Sequence, residues 1–547
     1  MRGPVTLYDK LGEKTLVHEL KKRLKASVAG FALASGILFP HAVMAQEVTL
    51  TSTDGTMSLV GDLIGVESDN YVIRTSLGDL RVATSSMICE GQACPNFESA
   101  SADVVIVGSE ALGLGMMPLL MSGFAASMDA DAEINNAAAG QTLVNLIGDG
   151  GFGDEIGSYL VSATGDDDAF QALLDGTANV GMSSRRITQD EARALRAAGA
   201  GSMVSPNQER IIAVDSMVVV THSSNPVEQL NQEQLKGIFA GEITNWSQVG
   251  GPDRPINVIA HQENSASYDY FMNYLYGEDR PDFRPQGISA DDQTMSTVMF
   301  HDRNAIGYLG YAFQRGAKPL TVVNECGIAT TPDAFSAKTE EYTLSRRMYL
   351  YNRGDNLDAN TQSFLDFSIS ETADSVIGKS GFIDLGILRR TQDETDARHA
   401  ALTAEMTRYD VGFEGEVIGE MLGQMDQYDR LSTTFRFRTG SSSIDERGRL
   451  DMQRLIAHLE EAPAGTAVTF VGFTDDVGAF DGNRQLAIQR AEAVVEEILE
   501  VAAGRLDNIE MSTTGYGEVA PSACNVSERG RGINRRVEVW ISKSAES

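Results

Sequence analysis

Chemistry is most legible near the C-terminus, where an acid and a forked cation fall at telling positions. Asp475 follows the apolar run Thr469 to Phe473, so it should emerge where a strand meets a loop. Asn483 and Arg490 lie seven residues apart in a stretch with helical spacing, and two turns bring both back to nearly one direction. A carboxylate and a guanidinium that converge suit a ligand carrying both an ammonium and a carboxylate: the acid pairs the first and the guanidinium grips the second. By type and spacing alone, such a pair is more often a structural ion pair than a ligand site.

The elements that must position these groups form an α+β pattern over 433–543. Strand-like Phe435 to Phe437 leads through a turn at Gly440 to Ser443 into a helix from Asp445 to Glu460, with Leu450, Leu455, Ile456 and Leu459 on one face. A strand at Val468 to Phe473, a long helix from Asn483 to about Val501 and a strand at Val537 to Ile541 follow. The runs Gly472-Phe473-Thr474-Asp475-Asp476-Val477-Gly478, Leu486-Ala487-Ile488-Gln489-Arg490-Ala491, Gly515-Tyr516-Gly517-Glu518 and Asn534-Arg535-Arg536-Val537 resemble the OmpA-like peptidoglycan-binding domain. That resemblance implies that Asp475 and Arg490 hold the diaminopimelate of the wall stem peptide, with Asn483 assisting from the same helix. Phe473 stands where the family often has His, and Ala487 where it often has Ser; neither change removes a charged partner.

From Val104 to about Leu388, short apolar strands such as Val104 to Val107 and Met217 to Val220 alternate with amphipathic stretches such as Ala169 to Leu174. The alternation predicts a mostly parallel, covered sheet. The segments Val107-Gly108-Ser109, Val180-Gly181-Met182-Ser183-Ser184-Arg185, Thr244-Asn245-Trp246-Ser247 and Ser265-Ala266-Ser267-Tyr268 resemble the phosphate-transporter type of periplasmic substrate-binding protein. That family has a two-lobed fold that closes on an oxyanion, and the resemblance covers about half of the chain. It implies an anion site built from Ser109, Ser184, Ser265 and Ser267, with Arg185 nearby and His261 at the family's arginine position. Read blandly, the serines are turn and cap residues and His261 is a hydrogen-bonded histidine. Ala266 and Ser267 replace a Gly and a Thr of the family, Ala111 an early Thr, and Asp166 stands where a hydroxyl is usual. A carboxylate ~4 Å from an oxyanion costs on the order of 4 kcal/mol, enough to erase micromolar affinity unless it points away.

The 547 residues suggest three or four folding units, and 42% hydrophobic with 22% charged residues fits a globular protein that folds in water. A formal charge of -33 repels phosphate backbones, and with no basic patch in sequence nucleic acid is not an expected partner. The first 45 residues carry seven Lys/Arg against three Asp/Glu, and Ala26 to Phe39 is apolar but too short to span a bilayer. With Val43-Met44-Ala45 behind it, this pattern predicts a secretory leader cleaved before Gln46. All four cysteines follow it: Cys89 and Cys94 could close a small loop, and a bridge between Cys326 and Cys524 would have to cross domains. The five later histidines are scattered, so no metal is expected, and 373–380 reads as a helix ending at Gly378 before a strand at 381–385 rather than a phosphate loop. No cofactor is expected.

The expected organisation is multidomain: leader 1–45, small all-β module 46–100, two-lobed α/β binding domain 101–388, helical connector 389–432 acting as a spacer, and α+β OmpA-like domain 433–543. The function expected is a non-enzymatic, peptidoglycan-tethered periplasmic binding protein, associated with the outer membrane, for a small anion such as phosphate. An ABC-type permease would be a further partner. The alternative is an envelope structural or interaction protein whose two-lobed domain recognises something else.

Overall fold

The computed structural model describes residues 47–543 except 53–57, 68–69, 76–77, 84–86, 92, 95–101, 139, 264, 283, 290, 356, 409–411, 413, 438–443 and 445. The expected leader and the turn through Gly440 to Ser443 lie outside the described residues.

Alternating apolar residues in the N-terminal segment make five antiparallel strands. Glu47–Ser52 pairs with Ser58–Glu67 on one side and Met87–Glu90 on the other. Asn70–Thr75 and Gly78–Ala83 extend the sheet, and Val48, Leu50, Tyr71, Ile73 and Met87 form its core. Cys89 and Cys94 are disulfide-bonded, with Cα atoms 5.7 Å apart.

The central domain is built on one large sheet folded into two lobes, with a small three-stranded sheet of Gln229–Asn231, Thr321–Val323 and Ala329–Thr330 beside it. In lobe one, Val104–Gly108 lies between the parallel strands Val180–Ser183 and Glu155–Ala163. In lobe two, Asn257–His261 lies between the parallel strands Gly287–Ser289 and Ala305–Gly310. Two antiparallel strands, Glu209–Thr221 and Ser345–Asn352, join the lobes. The first is thirteen residues long; its opening half pairs with Ser345–Asn352 and its closing half, Met217 to Thr221, with lobe two. Its near-continuous β-branched run is buried on both faces, as a strand at the centre of a covered sheet must be. The expectation of a mostly parallel sheet is therefore corrected. Within the large sheet, parallel pairing is confined to the lobe centres, because the chain crosses between lobes on two strands that run back along each other.

Each lobe has its own core. Phe124, Tyr159 and Phe364 meet in lobe one; Trp246, Phe239 and Phe271 pack in lobe two, where Phe271 stacks on Tyr308 at 3.9 Å. The helix Glu371–Ser380 runs past Gly378 and ends at Gly381, whose φ of 94° suits glycine. The strand expected at 381–385 is reduced to an isolated bridge between Ile383 and Val214.

The C-terminal sheet has the order Arg389–Thr391, Tyr428–Arg436, Arg536–Ser542, Ala467–Phe473, Glu510–Gly517. The segment expected as a spacer is thus built into the domain. It supplies an edge strand, and its helices Ala397–Met406 and Glu414–Met425 bury Leu402, Met421 and Met425 against Phe473, Tyr516 and Trp540. The apolar face of its second helix would otherwise be left in water.

This domain touches both lobes. On lobe two, Arg430 pairs with Glu341 at 2.8 Å, Arg436 with Glu340 at 3.1 Å, and Cys326 is disulfide-bonded to Cys524. On lobe one, Arg454 pairs with Asp374 and donates to the carbonyl oxygen of Ile369 at 2.8 Å.

Candidate functional site

A cavity of about 210 Å³ lies between the lobes, and Ser109, Ser184, His261, Ser265 and Ser267 all line it. Ser109 leaves the end of Val104–Gly108, and its N–H donates to the Met182 carbonyl at 2.8 Å. Gly108 makes that approach possible: its φ is 142°, and a Cβ there would sit 2.0 Å from the Met182 oxygen. Ser265 caps the helix Ala266–Tyr276 by accepting from the Tyr268 N–H at 3.1 Å, which leaves its own hydroxyl hydrogen to donate. Ser267 sits in the first turn of the same helix.

Asp166 opens the helix Asp166–Asp175 and is turned onto Ser184, accepting from its N–H at 2.8 Å and its hydroxyl at 2.6 Å. Ser184 thus has its donors engaged and serves as an acceptor, taking a bond from Arg346 Nη1 at 3.4 Å. Arg346 is the guanidinium of this cleft, and the sequence reading missed it.

Arg185 does not line the cleft. It pairs with Asp167 at 2.6 Å and Glu191 at 2.7 Å, with its guanidinium 4.8 Å above the Phe170 ring. Arg185 follows Ser184 in the bend beyond Val180–Ser183, and its ion pairs with Asp167 and Glu191 hold it away from the cleft. Arg346 comes from the hinge strand, 162 residues from Ser184, where no local motif marks it. The signal that could have found it is the pair of charges in Ser345-Arg346-Arg347-Met348-Tyr349-Leu350, an otherwise apolar strand.

The cleft also collects carboxylates: Glu110, Asp166, Asp291 and Asp292 line it alongside Arg346 and His261. Burial raises Glu110 above the usual carboxylate range, with the charge of Asp291 adding to the effect. Burial would likewise raise Asp292. The nearness of His261, whose Nε2 lies 3.0 Å from Oδ1, and the charge of Arg346 outweigh it and hold Asp292 below its ordinary value. Burial raises Asp215 in spite of its ion pair with Arg346.

In the C-terminal domain the three predicted residues come together. Asp475 stands just beyond Ala467–Phe473, and Asn483 and Arg490 lie on the helix Phe480–Ala502. Asn483 Nδ2 donates to the Asp475 carbonyl oxygen at 3.3 Å, and all three residues are buried, Arg490 to 1% exposure. Burial pushes Arg490 below the ordinary arginine value while Asp475 pulls it back up. The Arg490 guanidinium lies 5.3 Å from the Phe437 ring centre. A fourth member is Arg535, which pairs with Asp475 at 2.7 Å and with Glu528 at 2.7 Å. It lies in the Asn534-Arg535-Arg536 run, where the sequence offered two adjacent arginines and no reason to prefer one.

Two lobes hinged on a pair of shared strands, with a polar cleft between them, define a two-lobed binding protein of the periplasmic type. Residues 99–372, half of the chain, match the model for a PBP superfamily domain, and the chain belongs to that superfamily. Residues 436–535 match the OmpA family. The phosphate-binding protein PstS of Borreliella burgdorferi is 25% identical over 232 residues, 41% of this chain and 78% of the relative. PstS of Pseudomonas aeruginosa is 28% identical over 246 residues, 41% of this chain and 73% of the relative.

Among solved structures, an ABC-type phosphate transport receptor from Vibrio cholerae is 23% identical, with 51% of this chain and 99% of that chain covered and a TM-score of 0.38. The C-terminal domain of Helicobacter pylori MotB is 29% identical, with 20% of this chain and 85% of that chain covered and a TM-score of 0.18. Among the described residues, no helix is long and apolar enough to cross a membrane.

Proposed function

We propose that this chain is an exported solute-binding protein of the cell envelope. Its hinge cleft captures a small oxyanion, with phosphate the first candidate, and its C-terminal domain moors it to peptidoglycan. The observation that carries the reading is Arg346 lining the cleft together with Ser109, Ser265 and Ser267. The four carboxylates narrow the ligand. An oxyanion without protons meets repulsion of on the order of 4 kcal/mol for each ionised carboxylate at ~4 Å, whereas one that keeps an O–H can donate it to a carboxylate. Phosphate keeps an O–H at neutral pH and sulfate does not.

Mooring rests on Asp475, Asn483 and Arg490 gathered at one place within an OmpA-family match, a constellation suited to the ammonium and carboxylate of diaminopimelate. The protein would then work in the periplasm, bound to the wall close to the outer membrane, and an ABC-type permease would receive the ligand. No residue is assigned a catalytic role.

Calorimetry with phosphate and sulfate tests the cleft: phosphate should bind and sulfate should not. The acidic lining of Glu110, Asp166, Asp291 and Asp292 favours one second reading, an envelope interaction protein whose cleft recognises a different ligand. Silence with both anions would select it.

A further inference from the structure

Behind the cleft, where the hinge meets the C-terminal domain, lies a second cavity of about 490 Å³. From the binding domain, Arg185, Arg186, Arg346 and Arg347 line it. From the C-terminal domain come Arg436, Arg529 and Arg535. Seven of its seventeen lining residues are thus arginines, and Glu340 is the one carboxylate among them, in a chain whose formal charge is -33. Composition does not produce such a wall.

The acids that pair with these arginines mostly stand outside the lining. Asp167 and Glu191 hold Arg185, Asp215 holds Arg346, and Asp475 and Glu528 hold Arg535. A guanidinium has five N–H donors and a forked carboxylate takes two of them, so pairing from behind fixes the group without neutralising every edge. Arg529 has no carboxylate partner among the described residues; it is exposed, and its Nη2 donates to the Thr343 carbonyl at 2.8 Å. Tyr270, Tyr349 and Phe437 add aromatic surface.

We propose that this junction cavity is a second anion site, separate from the hinge cleft, for a small ligand bearing two or more phosphate or carboxylate groups. One oxyanion could meet only a few of the guanidinium forks, whereas the volume falls within the roughly 300–1,000 Å³ typical of small-molecule pockets. The paired acids cancel long-range attraction, so recognition comes from short charge-assisted hydrogen bonds. Ser184 and Arg346 line both cavities, which places the two sites on opposite sides of one shared wall.

The test is calorimetry on the full chain with tripolyphosphate, citrate and orthophosphate, comparing the wild type with Arg529→Glu, Arg529→Gln and the cleft variant Ser267→Asp. At least one of the first two probes should bind the wild type, and the choice between them separates a phosphate-bearing from a carboxylate-bearing ligand. Arg529→Glu should weaken that binding by about tenfold or more, the worth of a hydrogen bond to a charged group, with Arg529→Gln showing a smaller loss. Neither change should alter the orthophosphate titration, and Ser267→Asp should leave the polyanion titration unchanged. Absence of binding by both polyanions at millimolar concentration, equal affinity in the Arg529 variants, or loss on Ser267→Asp would overturn the proposal. A wild type silent to orthophosphate alone counts against the cleft reading and not this one.

Discussion

Arg346 and Asp215 stand opposite each other on the two hinge strands, and their side chains close a buried ion pair at 2.9 Å. Arg346→Met leaves Asp215 buried without its cation, which should cost about 3–5 kcal/mol of stability in denaturant titration. Asp215→Leu added to Arg346→Met should recover much of that loss, since an apolar pair of similar volume carries no desolvation penalty. Both variants should lose phosphate binding. A single variant as stable as the wild type would show that the pair does not hold the hinge.

Glu341 gives the contact between lobe two and the C-terminal domain a pH dependence. Burial alone would raise it, but Arg430, 2.8 Å away, together with the charges of Arg398 and Arg536 outweighs burial and holds it at about 2, against an ordinary value of 4.5. A folded value below the unfolded one means that the carboxylate contributes stability above about pH 4.5, lost as pH falls toward 2. The thermal midpoint should therefore drop across that window. In Glu341→Gln the drop should be shallower, and equal slopes in the two proteins would refute the assignment.

For the wall site, Asp475→Ala and Arg490→Ala should each release the protein from purified sacculi in co-sedimentation, and Arg490→Lys should rescue little because a point charge cannot reproduce the fork. Arg535→Ala should weaken retention as well, by freeing Asp475 from its fixed position. Thermal melts of the same variants separate loss of binding from loss of folding. Retention of both the Asp475 and Arg490 variants would remove the site.

The Cys326 to Cys524 bridge closes a separation of 198 residues and ties lobe two to the C-terminal domain. In the chain-entropy model a loop of that size is worth about 5 kcal/mol, so Cys326→Ser should lower the unfolding midpoint well beyond the effect of opening the short Cys89 to Cys94 loop. Non-reducing peptide mapping checks the pairing directly, and two free thiols there would end the prediction.

Local pattern carried much of this molecule. Period-two and helical spacing marked the strand at Val468 to Phe473, the long helix bearing Asn483 and Arg490, and the five-stranded N-terminal module, because those signals depend on neighbours a few residues apart. The cleft serines were legible through the family resemblance of the motifs that carry them, since local spacing alone reads them as turn and cap residues. What the tertiary structure alone decided was convergence. Arg346 rather than Arg185 enters the cleft, Arg535 joins Asp475 across 60 residues, and the supposed spacer packs onto the sheet it precedes. Strand direction at the hinge belongs to the same class. These outcomes turn on which distant surfaces bury each other and which buried charges find a partner, and no periodicity within a short window of sequence encodes that choice.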